Sequence, residues 1–367
     1  MIAFAGQYQR TIYPASPARS PQPLHPSLSV ALRAAASRAR PAAAISAEPA
    51  VDEAEAPTRV AFVTTPKFRA EHAAVVEDFV RRELYRLSQR FNIVCSGTTF
   101  AIVRQVLARD FSDMTAEEKR QIGQGMQRAD LQPGDYAAWR AQVAARLSGK
   151  LPGVQGVVEI LFDLVEGRLA GVIHLAHPSD LESKADSRVL WRAANVHDVP
   201  IAHDVNTAAR FIAAWQRPPA AAAHRRPETT SPLADLAGDN NVIAIISHDG
   251  KKSEMCAFAE KNAERIAAYD YVLATATTGA KLTEVLLARD PAWPVYKIRC
   301  CLSGPQGGDI QIACAVLRGL CQKVVFFQDP WTSHAHEADI RLFEKVLLEC
   351  PHPVELATNR AAAEIIL

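Results

Sequence analysis

Ser303-Gly304-Pro305-Gln306-Gly307-Gly308-Asp309 sets three glycines just ahead of a carboxylate and an apolar helical stretch, Ile310 to Arg318. Glycines let backbone N–H groups converge on an anion, and a helix start adds the positive end of its dipole. Such a loop suits phosphate. Asp309 is a poor ligand for that phosphate, since two anions repel, so its chemistry beside a bound phosphate ester is to accept a proton. Thr275-Ala276-Thr277-Thr278-Gly279 offers hydroxyls and turn amides of the kind that hold phosphate oxygens. His248-Asp249, followed by Lys251 and Lys252, adds a titratable ring and two cations, and Gln328 to Asp339 carries His334, His336 and Asp339. Each has a plainer reading taken singly. Lys252 suits a solvated helix face, Thr277 or Thr278 a helix cap, and Asp339 the start of the helix running to Leu348. His334 and His336 suggest a metal pair, but no cysteine or third ligand lies at a suitable spacing, which argues against zinc.

These groups gain meaning from the elements that must position them. Val242 to Ser247, Tyr271 to Ala274, Val295 to Ile298, Lys323 to Phe327 and Val354 to Ala357 read as strands alternating with helices, the first helix carrying Met255, Phe258, Ala259, Ala263 and Ile266 on one face. That alternation predicts a doubly wound parallel sheet whose polar residues all fall at the strands' carboxyl ends. The rim is the expected site.

His248, Lys252, Thr275 to Gly279, Ser303 to Asp309 and Asp329-Pro330 followed by His336 and Asp339 resemble, in order and spacing, the methylglyoxal synthase family. The resemblance spans Val242 to Leu367, about a third of the chain. It implies conversion of dihydroxyacetone phosphate to methylglyoxal and inorganic phosphate, with no metal and no organic cofactor. It further implies that Lys252, Thr275, Thr277, Thr278, Ser303 and Gly304 hold the substrate phosphate, that Asp309 is the catalytic carboxylate, and that His248, His336 and Asp339 line the reacting end. Removing a proton beside a carbonyl makes an enediolate, which needs one base, a donor for the oxyanion and exclusion of water. Asp309 with His336 or His248 supplies base and donor, while Lys252 and the cradle neutralise the departing phosphate. Similar folds also serve as binding modules, the allosteric domain of carbamoyl phosphate synthetase among them, so the alternative is a non-catalytic sensor of phosphorylated metabolites or nucleotides. A sensor has no use for Asp309, His336 and Asp339, which favours the enzyme.

The rest of the chain contains an internal repeat. Val60 to Arg69 parallels the first strand and loop, Cys95-Ser96-Gly97-Thr98-Thr99 the threonine loop, Gln155 to Ile160 the Gly-Gly-Asp segment, and His177-Pro178 stands for Asp329-Pro330. Pro200-Ile201 and Asn206 answer Pro353-Val354 and Asn359. Two doubly wound, Rossmann-like α/β domains in tandem are therefore expected: a degenerate one over 56–216, a linker over 217–240, and the catalytic one over 241–367. In the first copy Thr65 takes the place of His248, Val157 or Val158 that of Asp309, and Lys184 and Ser187 fall near the places of His336 and Asp339. Arg69, Ser96, Thr98 and Thr99 still suit an anion. The copy carries a charged helical insertion, roughly Asp110 to Lys150, with Thr115 as an N-cap. The chain ends soon after the fifth strand, where family members continue, so the first copy is expected to act as a built-in partner domain; an internal pseudo-dimer or a homo-oligomer follows.

Residues 1–55 carry Arg10, Arg19, Arg33, Arg38 and Arg40, many Ser, Ala and Pro, and no acidic residue before Glu48. That composition reads as an organellar transit peptide, plastid in preference to mitochondrion. The 367 residues, 49% hydrophobic, supply two cores, and a net charge of +1 argues against a nucleic-acid surface. No apolar run is long enough to span a bilayer. The expected ligands are dihydroxyacetone phosphate and inorganic phosphate, as product and possible inhibitor. Seven cysteines form no Cys-x-x-Cys pair and read as reduced core thiols, with adjacent Cys300-Cys301 as the redox-sensitive candidate.

Overall fold

Val242–Ser247 is apolar at nearly every position because both of its faces are covered: all six residues are buried mid-sheet in a computed structural model of the chain. The structure describes residues 59–216, 231–236, 238–332 and 336–367. The expected transit peptide and most of the expected linker lie outside them, as does His334.

Two five-stranded, all-parallel sheets build the described residues, which fall in one compact unit. In the first half β1 (Arg59–Thr64), β2 (Asn92–Cys95), β3 (Leu147–Gly149), β4 (Leu169–Leu175) and β5 (Ile201–Ala202) run in the order β3-β2-β1-β4-β5. In the second, β6 (Val242–Ser247), β7 (Tyr271–Ala274), β8 (Ile298–Cys300), β9 (Lys323–Phe327) and β10 (Glu355–Ala357) run β10-β9-β6-β7-β8, the same order read from the other edge. Chain direction around each sheet reverses beside the first strand, so the crevice at the carboxyl ends of β6 and β9 is where this fold binds ligands.

Two sequence readings need correction and a third is narrowed. The third strand of the second half is Ile298–Cys300, and Val295–Lys297 is a 3-10 turn. Pro294 precedes it, and the ladder with β7 begins only at the Val272 and Ile298 pair, so the apolar start of the run is spent on turning the chain. The counterpart of Asn359 is Asp204, not Asn206: each caps the helix after the last strand of its half, Asp204 through the amides of Asn206 and Thr207 and Asn359 through that of Ala362. The residue in the place of Asp309 is Val157. Gly156 and Gly308 both lie so close to a backbone carbonyl, of Leu151 and Leu302 respectively, that neither has room for a Cβ, and the next residue is Val157 in one half and Asp309 in the other.

The insertion forms two helices, Ala116–Met126 and Pro133–Arg146, the first opened by Thr115 with a reciprocal bond from Glu118. Between the halves, Gly153–Val165 packs on Gly308–Leu317 and Ala185–Val196 on Glu337–Glu349, each helix against its own counterpart. Their apolar side chains, Leu161, Val165, Leu190, Ile310, Ala313 and Phe343 among them, belong to one core. Gly308–Leu317 is buried along its whole length, as a helix is when sheet and neighbouring helices cover it all round. Cys95, Cys301, Cys314 and Cys321 are buried, and burial pushes the Cys314 and Cys321 thiols up to about 12, while Cys300 is exposed.

Candidate active site

The loop after β8 owes its shape to its glycines. Ser303 O accepts from the amides of Gln306 and Gly308, and Gly307 adopts φ +102°, a conformation that favours glycine, to turn the chain into the helix. Asp309 thus enters the first helical turn with its side chain buried, 4% exposed. Gly304 sits against the carboxylate: a Cβ there would come within 3.0 Å of both Asp309 Oδ2 and His336 Nε2. His336 Nε2 lies 3.5 Å from Asp309 Oδ2, and Asp339, three residues on, is 1% exposed.

Across the crevice, the helix after β7 opens with Thr275, whose hydroxyl donates to Thr278 Oγ1 at 3.0 Å. Thr278 is buried and Thr277 exposed at the mouth, where first-turn amides have no partner within their own helix. Lys252 Nζ donates to Ser247 O at 3.1 Å and lies 3.4 Å from Thr278 Oγ1, which brings its charge to the hydroxyl cradle. His248 is buried against Phe326, and its Nδ1 accepts the amide proton of Asp329 at 2.9 Å. An accepting Nδ1 leaves the neutral ring its proton on Nε2, so the loop after β9 fixes this histidine as an Nε2–H donor. Asp329 in turn binds the amide of Trp331 and the hydroxyl of Thr332, holding that loop in shape.

Burial raises the Asp309 carboxyl to about 6, against the attraction of Arg192 and Lys252. Burial likewise raises Asp339 to about 7, with Arg192 opposing and the charge of Asp309 adding to the rise. A carboxylate so placed changes protonation state near neutral pH, which suits a base that must take a proton and give it back. The crevice therefore brings Asp309, His336, Asp339, Gly304, Lys252, Thr275 and Thr278 to one end of the sheet, with Thr277 and Ser303 on its rim and His248 behind the loop after β9.

One charged residue here lies outside the resembling segment. Arg192, from the Ala185–Val196 helix of the first half, binds Asp339 Oδ2 through Nη1 and Pro305 O through Nη2. It sits 147 positions from Asp339 in the chain on an ordinary amphipathic helix, so no local motif marks it. The pairing of that helix with Glu337–Glu349 is the signal that finds it.

The first half repeats the scaffold without the acid. Arg69 binds Thr64 O as Lys252 binds Ser247 O, Ser96 and Thr99 hydroxyls meet at 2.9 Å as Thr275 and Thr278 do, and Thr65 N donates to Leu175 O as His248 N donates to Phe327 O. Lys184 and Ser187 take the helix-start positions of His336 and Asp339. With Val157 in place of Asp309, these positions hold no carboxylate to accept a proton.

No family model matches the chain. Curated relatives do: the methylglyoxal synthase of Thermus thermophilus is 42% identical over 125 residues, 34% of this chain and 90% of that protein. The methylglyoxal synthase of Cupriavidus metallidurans is 40% identical over 126 residues, 34% of this chain and 81% of that protein. The chain belongs to the methylglyoxal synthase family. A solved methylglyoxal synthase from Elizabethkingia anophelis matches 35% of this chain and 76% of its own at 27% identity, with a TM-score of 0.28. The family resemblance thus occupies one domain-sized stretch of a chain that builds two sheets.

Proposed function

We propose that the chain is a methylglyoxal synthase whose second half converts dihydroxyacetone phosphate to methylglyoxal and inorganic phosphate. The observation that carries this reading is Asp309: a buried carboxylate raised to about 6, 3.5 Å from an imidazole nitrogen and across from a lysine and a cluster of hydroxyls. Thr275, Thr277, Thr278, Ser303, the Gly304 amide and Lys252 take the phosphate. Asp309 removes a proton from the carbon beside the carbonyl, leaving an enediolate. His336 or His248 donates to the oxygen as its charge grows, and the fixed Nε2–H of His248 suits that work without reorganisation. The hydroxyl on the deprotonated carbon then gives up its proton as it becomes the aldehyde, the double bond shifts to expel phosphate from the carbon on the carbonyl's other side, and Lys252 with the hydroxyls carries the charge the phosphate gathers. The enol released becomes methylglyoxal on taking a proton at carbon. Product phosphate fits the same cradle and competes with substrate.

A sensor built on this fold needs the cradle alone. Burying Asp309 and Asp339 together costs folding energy, which a cradle for phosphate does not by itself call for. The test is to incubate the purified full chain with dihydroxyacetone phosphate and measure methylglyoxal by derivatisation and phosphate by colorimetry. Equal yields of both are expected, and saturable binding of the phosphate ester with neither product formed would overturn the reading.

A further inference from the structure

We infer that Arg192 of the first half is a positioning residue for the acid–base site of the second, so that the half with Val157 in the place of the base serves the reaction as a built-in neighbouring subunit. The inference rests on the reading of Asp309 as the reacting base, with Asp339 beside it. Three contacts converge on one loop. Arg192 binds both Asp339 and the carbonyl of Pro305; His197, at the end of the same helix, contacts the carbonyl of Gln306 at 2.9 Å; and Val165 fills the space beside Gly307 that a Cβ would need. Behind the loop, Glu166 accepts from Gln311 at 2.7 Å, and Gln311 Oε1 accepts the amide of Leu302 at the loop's start. Arg192, His197, Val165 and Glu166 all come from the first half. The loop that presents Asp309 is therefore held from outside its own domain.

Arg192 stands apart from the others because it is also a charge. Its guanidinium bridges a carboxylate and a carbonyl in the fork geometry that arginine offers and lysine does not. The groups facing the pair are Arg192 from the first half, Lys252, His336 and the two carboxyls themselves, with buried Cys301 beneath. Of these, Arg192 is the cation that acts on both carboxyls and touches one directly. Removing it leaves two buried acids that hold their protons to higher pH, and Asp309 loses its capacity as a base from the acid side upward.

The test compares wild type, R192Q, R192K and, as a surface control on the same helix, R188Q. Steady-state rates with dihydroxyacetone phosphate are measured from pH 5 to 9, and in parallel the protonated-carboxyl infrared band is titrated in the substrate-free proteins. R192Q is expected to move the acid limb of kcat upward by about one to three pH units, with a roughly tenfold loss per unit below the limb and a much smaller change in KM. R192K restores most of the limb's position, since it returns the charge, and R188Q matches wild type. The carboxyl band shifts with the limb. R192Q that loses rate at every pH with limb and band unmoved overturns the inference, as does R192Q indistinguishable from wild type. Should R192Q fail to fold, R192M, which keeps the length of the side chain without its charge, takes its place: a limb and band moved upward together support the inference, and both unmoved overturn it. If the wild type makes no methylglyoxal, the functional reading fails by itself, and the infrared titration alone decides whether Arg192 sets the carboxyls' protonation.

Discussion

Replacing Asp309 by Asn separates chemistry from architecture. The side chain keeps its size inside a site where it is 4% exposed, so the loop around Gly304, Gly307 and Gly308 has no reason to move. What is lost is a base. General-base removal costs roughly two to four orders of magnitude, and turnover is expected to fall by about that much while inorganic phosphate still binds. Stability is expected to move the other way. Burial raises this carboxyl from 3.8 to about 6, so the folded chain holds the proton more tightly than the unfolded one. The penalty of its charge is absent below the unfolded value, grows as pH rises from 3.8 toward 6, and is complete above that. Two units correspond to at most about 3 kcal/mol, part of which the amide gives back in its own desolvation. Calorimetry of wild type and D309N at pH 4 and pH 7.5 should show a higher melting temperature for the variant at pH 7.5 and a much smaller gap at pH 4. A variant that keeps near-wild-type turnover refutes the role of Asp309. One that melts lower at pH 7.5 refutes the claim that its charge is buried at a cost.

Other outcomes follow from the same geometry. The rate of the wild type should rise from acid pH with a midpoint near the Asp309 value of about 6, read from a pH profile of kcat; a flat profile from pH 5 to 8 contradicts that. T277A/T278A should raise KM for dihydroxyacetone phosphate steeply, whereas T98A/T99A should leave turnover intact and cost about 1–2 kcal/mol of stability through the lost Thr99 bonds to Thr64 and Ser96; equal loss of turnover in both refutes the division of labour between halves. Gly308→Ala would place a Cβ 1.9 Å from Leu302 O, so the loop must deform, and activity should fall far more than from Gly134→Ala, where the space is open.

The sequence made the strand-end rim legible because its signals are local: glycines at a helix start, threonines after an apolar run, an acid at a fixed offset. Thr115 was readable as a cap for the same reason. Legibility ended where partners are distant or registers ambiguous. Arg192 has no local mark, since its meaning lies in the packing of two helices far apart in the chain. Val157 and Val158 are equally apolar, and only the crowding of Gly156 against Leu151 O settles which takes the place of Asp309. Asp204 and Asn206 are both good capping residues two apart, and the hydrogen bonds alone choose Asp204. Val295 continues an apolar run in sequence, but a turn after Pro294 takes it before the sheet does.

The account stands or falls on product formation by the intact chain. Dihydroxyacetone phosphate incubated with the wild type should yield methylglyoxal and phosphate in equal amounts, at a rate that D309N reduces toward the spontaneous background. Phosphate-ester binding with both proteins at that background would contradict it.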